Sequence, residues 1–350
     1  MKILIVKLSS IGDVIHALPA LAAIRANLPD AEISWVVESR SAGILRGNRL
    51  IDNLIEVDTR SLRGGKVIEE ILLDISRQVK GLRKFSFDIA LDFQGLLKSA
   101  VIAKLSKAPA RFGFSKESLR EPASRFLYTD TMRVEPETHV IRQNLALVHG
   151  ALKIPVPQTD FEFPIFTSDE DKAEAERIIA GAGANFAILN PAGGWVTKLW
   201  HAEKFGQLAD RLWEECGLVS IIATGPGETA LAEKVARSSR SGKAALAQPS
   251  LKGFYELARR AKVYVGGDTG PTHLAVAAGA PIVGIFGPTE WWRNGSPNEN
   301  DICVGRTDIA CRIDCHRRTC SNWICMDIDV ETVFQAVRKR LDGAGVYSSI

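Results

Sequence analysis

Glycines, an aspartate and a histidine fall together in residues 264–288, where an apolar strand is predicted to lead into a helix. The strand ends at Asp268, and the helix begins near residues 269–271, where a proline fits the first turn because the N–H it lacks would have no partner there. The remaining N–H groups and the dipole of such a helix start attract anions. We therefore predict a pocket for a nucleotide diphosphate at the carboxyl end of a parallel sheet, with Asp268 and His273 placed for hydroxyl and phosphate contacts.

Polar side chains also follow three other predicted strands. Asp13 comes after the first strand, where a carboxylate could act as a general base or cap the next helix, and the composition of the loop favours the cap. Gly193 and Gly194 permit close approach of the backbone to a ligand. Lys198, just after them, could neutralise a phosphate or simply be solvated. Glu228 could accept hydrogen bonds from ribose hydroxyls or complement the dipole of a helix start. Several such loops at carboxyl strand ends together favour a ligand site.

Two signatures of phosphate binding are missing from the loop at residues 7–13, namely G-x-G-x-x-G and G-x-x-x-x-G-K. Two D-x-D pairs, Asp169/Asp171 and Asp327/Asp329, lie at predicted helix starts, where acids complement the helix dipole. They are therefore not interpreted as a metal–diphosphate site, and no cofactor is predicted.

Four of the six cysteines follow the spacing C-x3-C-x4-C-x4-C, at Cys311, Cys315, Cys320 and Cys325. A cytosolic protein would keep these thiols reduced, which argues against disulfides. The spacing matches no familiar ligand signature of zinc or iron–sulfur sites. A metal site and structural or redox-labile thiols both remain open, and the prediction that no metal is bound leaves the role of residues 303–325 unassigned.

Two basic loops lie in the first half, one containing Arg60 and Arg63 and one containing Arg120. They could be ordinary solvated surface or a docking site for an anionic acceptor. Too few aromatic residues are interleaved with them for a platform that stacks single-stranded nucleic acid. A net charge of +3 does not by itself imply nucleic acid either, so no nucleic-acid partner is predicted.

The chain length of 350 residues predicts two domains rather than one core. Strands and helices alternate in both halves, which indicates parallel sheets covered by helices. We predict domains at residues 1–155 and 168–330, a proline-bearing linker at 156–167 and a C-terminal helix within 331–350. A helix is expected over about 14–27, and residues 111–128 are expected to be irregular. The first apolar run is too short for a signal peptide and none is long enough to span a bilayer, so a cytoplasmic location is expected.

Four segments together resemble the ADP-heptose:lipopolysaccharide heptosyltransferases, glycosyltransferase family 9. The resemblance spans nearly the whole chain and implies the GT-B fold, an α/β architecture of two Rossmann-like doubly wound domains that face a central cleft. The first two segments are most similar to the type I branch, which adds the first heptose to the Kdo sugars of the inner core. The segments are residues 7–16, 92–100, 120–122 and 267–274.

The resemblance implies an inverting transfer of L-glycero-D-manno-heptose from ADP-heptose to Kdo2-lipid A, with the acceptor in the first domain and the donor in the second. Asp13 would be the general base, and Lys198 would stabilise the departing diphosphate. The implied donor-binding residues are Gly193, Gly194, Lys198, Glu228, Asp268, Thr269, Gly270 and His273. The implied acceptor-binding residues are Lys7, Ser10, Arg60, Arg63 and Arg120.

Three alternatives remain beside the type I activity. One is a type II or type III heptosyltransferase that acts on an already heptosylated core. The second is a nucleotide-sugar epimerase with a GT-B-like fold, which would turn over without any acceptor. The third is a non-catalytic protein that binds a nucleotide sugar or a metal. The lipid-anchored acceptor implies a peripheral contact with the cytoplasmic face of the inner membrane rather than insertion.

Overall fold

A computed structural model describes residues 1–58, 80–312, 315 and 317–343. The chain divides into two compact units, Met1–Phe166 and Thr167–Ile350. Arg60 and Arg63, which were predicted to bind the acceptor, lie outside the described residues. None of the described helices is both long enough and apolar enough to cross a membrane.

A six-stranded sheet with the order β3-β2-β1-β4-β5-β6 forms the centre of the first unit. Every neighbouring pair of strands in it is parallel. The strands are β1 (Lys2–Val6), β2 (Glu32–Glu38), β3 (Asn53–Val57), β4 (Ile89–Asp92), β5 (Ala110–Phe114) and β6 (Asp130–Met132). The helices are α1 (Ile11–Ile15), α2 (Leu18–Asn27), α3 (Leu97–Leu105) and α4 (Val140–Leu152), with 3-10 turns at Ser39–Ile44, Lys80–Lys84, Lys116–Ser118 and Pro122–Leu127.

The second unit repeats this plan with the order β12-β11-β10-β7-β8-β9, again parallel throughout. Its strands are β7 (Phe186–Asn190), β8 (Val219–Ala223), β9 (Ala244–Ala247), β10 (Val263–Gly267), β11 (Ile282–Ile285) and β12 (Ile302–Val304). Its helices are α5 (Asp169–Ala182), α6 (Ala202–Cys216), α7 (Thr229–Ser238), α8 (Leu251–Ala258), α9 (Gly270–Ala277), α10 (Trp291–Asn294) and α11 (Val330–Gly343), with 3-10 turns at Val196–Lys198 and Ala310–Arg312.

Each sheet reverses the direction of its strand order once. In the first unit the chain leaves β1 toward β2 and β3, then returns to place β4 on the other side of β1. In the second unit β7 and β10 are related in the same way. Ligands of open α/β sheets bind outside the carboxyl ends of the strands at such a switch point. The topology therefore marks the loops after β1, β4, β7 and β10 as the places to look for a site.

Apolar residues fill both faces of the central strands. Ile3, Leu4, Ile5 and Val6 of β1 are fully buried, as expected for a parallel strand that is covered by helices on both sides. In the second unit, α6 and α11 pack against the sheet in a single apolar cluster. Both sheets therefore form rigid platforms whose carboxyl edges carry the polar loops.

The predicted architecture of two doubly wound parallel sheets is confirmed, and two local expectations were wrong. The expected helix over 14–27 is two helices, since His16 ends α1 and a proline in the first turn begins α2 anew. The stretch expected to be irregular contains β5. That strand is short and carries Arg111 and Gly113, so it lacks the continuous apolar run by which the other central strands are recognised.

Candidate active site

Asp13 stands at the carboxyl edge of the first sheet, in the first turn of α1. Its Oδ2 accepts hydrogen bonds from the backbone N–H of Ser10 at 2.8 Å and from Ser10 Oγ at 2.9 Å. Its Oδ1 lies 3.8 Å from the Nζ atom of Lys7, and the side chain is 41% exposed. Asp13 is therefore not the N-cap residue, which is Ser10, but the third residue of α1, and it supplies the return bond of the capping box. The same contacts hold an exposed carboxylate in one orientation beside a cation.

Two long-range contacts fix the loop that carries Asp13 against the loop after β4. The buried Lys7 donates from Nζ to the carbonyl oxygen of Phe93 at 2.8 Å. Gln94 Oε1 accepts from the N–H groups of Leu8 and Ser9 at 3.0 and 3.1 Å. Because β1 and β4 flank the switch point, these contacts place Lys7, Ser10 and Asp13 at the position where the topology predicts a ligand.

An ionic cluster next to this loop was not predicted from the sequence. The carboxylate of Glu38, the last residue of β2, accepts from Lys98 Nζ and from Arg40 Nε, each at 2.7 Å. Arg40 also donates to Ser9 Oγ at 3.2 Å. Glu38 is almost fully buried, whereas Arg40 and Lys98 remain partly exposed. Two cations are thereby held at the same edge as Asp13.

Arg120 is exposed in the loop between two 3-10 turns. Its neighbour Glu121 accepts a hydrogen bond from the N–H of Leu97 at 2.7 Å. That contact ties the Arg120 loop to the start of α3, one residue from Lys98. The loop that carries Arg120 therefore adjoins the start of α3.

Asp92 anchors the turn between β4 and α3. Burial raises the pKa of this fully buried carboxyl group, while hydrogen bonds from Tyr128 and Ser99 oppose that rise. The Tyr128 hydroxyl donates to Asp92 Oδ2 at 2.7 Å, and Asp92 Oδ1 accepts from the N–H groups of Gln94 and Gly95. Asp92 thus shapes the loop that holds Gln94 in place.

Lys198 and Asp268 meet at the switch point of the second sheet. Lys198 Nζ donates to Asp268 Oδ2 in a short ion pair and to the carbonyl oxygen of Asp268 at 3.2 Å. It also lies 4.0 Å from the centre of the Trp195 ring. Both charged side chains are more than nine-tenths buried. The loops after β7 and β10 are therefore joined by a buried charge pair.

His273 and Asn294 complete the surroundings of Asp268. Asp268 Oδ1 accepts from Asn294 Nδ2 at 2.6 Å and lies 3.2 Å from His273 Nε2. Burial alone would raise the pKa of Asp268, but the hydrogen bond from His273 and the charges of Lys198 and His273 hold it well below its usual range. The carboxyl group is therefore ionised, and three side chains, those of Lys198, His273 and Asn294, surround it.

Packing explains one of the two glycines before Lys198. A Cβ atom on Gly193 would lie 2.8 Å from Leu199 Cδ2, whereas a Cβ atom on Gly194 would meet nothing within 4 Å. A Cβ atom on Gly267, at the end of β10, would lie 3.2 Å from the carbonyl oxygen of Lys198. Gly193 therefore lets the loop after β7 fold tightly on itself, Gly267 lets the end of β10 approach that loop, and Gly194 leaves open space.

The N-terminus of α9 is held by a chain of hydroxyl groups. Thr269 is the N-cap residue and Gly270 the first helical residue. The buried Thr272 donates from Oγ1 to the carbonyl oxygen of Gly267 and lies 2.9 Å from the Tyr264 hydroxyl and 3.2 Å from Thr269 Oγ1. These contacts orient the free N–H groups of the helix start without covering them.

Glu228 lies at the end of the loop after β8, the strand next to β7. Its Oε2 accepts from the N–H of Gly225 at 2.7 Å. Burial raises the pKa of Tyr264, and the charge of Glu228 raises it further. Lys198, Asp268, Thr269, Gly270 and His273 are thus brought together, and Glu228 follows the neighbouring strand β8.

Such an edge can bind a nucleotide diphosphate. Helix N–H groups and an ammonium group suit phosphate oxygens, and a carboxylate one strand away suits ribose hydroxyls. The first unit presents instead an oriented carboxylate among cations, an arrangement that suits proton removal from a hydroxyl group of an anionic substrate. Asn294 and Lys98 were missed from the sequence because their partners Asp268 and Glu38 lie 26 and 60 residues away. Arg40 was missed too, since its contact with Ser9 at the candidate site spans 31 residues although its ion pair with Glu38 is local.

Known proteins share both this fold and this sequence pattern. The model of glycosyltransferase family 9 (heptosyltransferase) matches residues 75–323. Lipopolysaccharide heptosyltransferase 1 of Pseudomonas aeruginosa is 30% identical over 92% of this chain and 88% of its own length.

Solved structures of heptosyltransferase WaaC from Escherichia coli show the same GT-B type of fold. The structure with ADP has a TM-score of 0.74 at 24% identity and covers 99% of this chain and 100% of that one. The structure with ADP-2-deoxy-2-fluoro heptose has the same TM-score and identity and covers 98% and 100%. The matched family model spans most of the chain, and on that basis this protein belongs to glycosyltransferase family 9, the heptosyltransferases.

Proposed function

We propose that this glycosyltransferase acts in lipopolysaccharide core biosynthesis and transfers L-glycero-D-manno-heptose from ADP-heptose to a Kdo residue of Kdo2-lipid A. One observation carries the proposal: an oriented carboxylate occupies one switch point and a buried cation–carboxylate pair at a helix start occupies the other. The name of the Pseudomonas relative supports the type 1 activity, and the ligand of the WaaC complex supports an ADP-heptose donor.

The donor would bind at the carboxyl edge of the second sheet. Its diphosphate would lie against the start of α9, near Thr269, Gly270 and His273, where N–H groups and the helix dipole favour negative charge. Gly194 leaves room for it, and Glu228 would accept hydrogen bonds from the ribose hydroxyls. Asp268, oriented by its partners, would accept from heptose hydroxyls.

Lys198 would stabilise the leaving group. An ammonium group has three N–H donors, and Lys198 directs two contacts at Asp268. The third N–H can point to a phosphate oxygen while the pair stays intact. As the glycosidic bond breaks, negative charge grows on the diphosphate, and a donor that is already oriented stabilises it without reorganisation.

The acceptor would bind at the edge of the first sheet. A Kdo hydroxyl attacks the anomeric carbon from the side opposite the diphosphate, so the configuration inverts, ADP leaves and Asp13 takes the hydroxyl proton. The transition state is expected to resemble an oxocarbenium ion. Lys7, Arg40, Lys98 and Arg120 would face the carboxylates and phosphates of the acceptor, together with Arg60 and Arg63.

The test is ADP release from ADP-heptose in the presence and absence of de-acylated Kdo2-lipid A. We expect release that depends on the acceptor, together with a product heavier by one heptose. Release with a heptosylated acceptor alone would assign the protein to the type II or type III activity. Turnover without any acceptor, or none with either acceptor, would contradict the proposed function.

A further inference from the structure

Four cysteines converge on one small cavity in the second unit. A cavity of about 20 Å³ is lined by Cys311, Cys315, Cys320 and Cys325, together with Thr197 and Arg317. Cys311 is exposed, whereas the other three thiols are partly buried. A space of this size holds about one water molecule or a single small ion.

The segment that carries these cysteines has little regular structure of its own. Between the end of β12 at Val304 and the start of α11 at Val330, the described residues form one 3-10 turn, Ala310–Arg312. Segments of this length without secondary structure are uncommon inside compact domains unless something else orders them. Met326 and Ile328 bury their side chains at its end. Trp323 and Cys325 pack, partly buried, against the apolar core of the second unit, whereas Cys311 is exposed.

We propose that the four thiolates bind one zinc or iron ion, which orders this segment. Four sulfur ligands in a tetrahedron are typical of both metals. Among the described residues, no group of three or more His, Cys, Asp or Glu side chains is arranged to hold a metal ion in the present rotamers. A thiol moves by rotation about a single bond, so thiols that already line one cavity can converge on an ion through rotamer changes.

The charges around the cavity suit such an ion. Four thiolates and a divalent ion carry a net charge of −2, which needs nearby cations or N–H donors. Arg317 lines the cavity and Arg318 is exposed beside it. The segment therefore has positive charge to balance a tetrathiolate site.

The segment that carries the cysteines, residues 305–329, also forms hydrogen bonds with the loop that carries Lys198. Thr197 donates from Oγ1 to the carbonyl oxygen of Arg317, and Trp323 Nε1 donates to the carbonyl oxygen of Thr197 at 3.0 Å. The Arg318 guanidinium lies 5.7 Å from the centre of the Trp195 ring, on which Lys198 also rests. Metal binding would thus stabilise the loop of the candidate donor site from outside it.

The direct test is the metal content of the full-length protein, purified anaerobically under reducing conditions. We expect about one zinc or iron per chain by elemental analysis. Cys320→Ser and Cys325→Ser should each lower the bound metal by roughly tenfold or more. Cys216→Ser, at the end of α6 and outside the cavity, is the matched control and should leave the metal content unchanged.

A second measurement does not depend on whether the variants fold. Titration of the metal-free wild-type protein with Co²⁺ should produce thiolate-to-cobalt charge-transfer absorption that saturates at about one equivalent. Absence of this absorption, together with no bound metal after reconstitution with Zn²⁺ or Fe²⁺, would overturn the proposal. Undiminished metal in both cysteine variants, or a disulfide among the four thiols in the freshly purified protein, would also overturn it.

Discussion

In the proposed mechanism, Asp13 combines two tasks that the sequence presented as alternatives, capping and proton removal. Its carboxylate completes a capping box with Ser10 and still exposes an oxygen beside Lys7. A group that serves as both cap and base is oriented before the substrate arrives, which removes the need to order a flexible side chain during the reaction. Any test of the base must therefore separate loss of the cap from loss of proton transfer.

Asp13→Asn should keep much of the cap and remove the base. We expect kcat for heptose transfer to fall by about 10²–10⁴-fold, the usual contribution of a general base, while ADP binding by calorimetry stays close to wild type. Asp171→Asn is a matched control, because Asp171 makes the same capping box with Ser168 at the start of α5. Turnover near the wild-type rate in Asp13→Asn would refute the assignment.

The Lys198–Asp268 pair makes the second unit sensitive to acid. The pKa of Asp268 is depressed in the folded state, so its ionised form contributes stability that is fully present above the unfolded pKa of about 3.9. That contribution is lost as the pH falls below this value toward the lower folded pKa. Asp268→Asn leaves the buried Lys198 without its counter-charge, which costs about 3 kcal/mol or more at neutral pH.

Denaturant unfolding of wild type and Asp268→Asn across pH 3–7 measures this effect. We expect the stability difference to be largest near neutrality and to shrink below about pH 4. Glu170→Gln, on the exposed first turn of α5, should show no such trend. A difference that stays constant with pH would mean that the carboxylate charge is not what stabilises the fold.

At the scale of elements, the start of α9 depends on one buried hydroxyl. Thr272→Val keeps the size of the side chain but removes the hydroxyl that contacts the Tyr264 hydroxyl and the carbonyl oxygen of Gly267. Leaving such partners unsatisfied costs about 1–3 kcal/mol, and the helix N-terminus would lose its fixed orientation. We expect a lower melting temperature and weaker ADP binding, with both largely restored in Thr272→Ser. If valine and serine behave alike, the hydroxyl chain does not orient the anion site.

Strong local signals made the central elements predictable. The sequence predicted the apolar strands β1, β7 and β10 and the helix start at residues 269–271. A strand that is buried on both faces appears as a continuous apolar run, and a turn is indicated by the residues that form it. The short strands β5, β6, β9 and β12 were missed, since three to five residues give no clear period and their pairing depends on distant partners. The same rule holds for the candidate site, because single loop residues could be proposed from the sequence, whereas the cations held by Glu38 were not predicted.

At the scale of the whole molecule, the two units carry related sheets with different chemistry at their edges. The first edge offers a carboxylate among cations, and the second offers a helix start with a buried charge pair. This contrast follows from the loops alone, because the strand orders correspond. A ligand that contains only the nucleotide part of the donor should therefore distinguish the units.

Hydrogen exchange with and without ADP tests this distinction across the chain. A ligand at a free concentration of about 100 times its Kd stabilises the folded site by about 2.7 kcal/mol relative to the open state. Amide hydrogens that exchange only when the site opens therefore exchange more slowly. We expect the strongest protection in residues 193–200, 225–230 and 266–273. The loops at 7–13 and 94–98 should change less, and they should become protected when a de-acylated Kdo2-lipid A acceptor is added. Strongest protection by ADP in those first-unit loops would reverse the proposed placement of donor and acceptor.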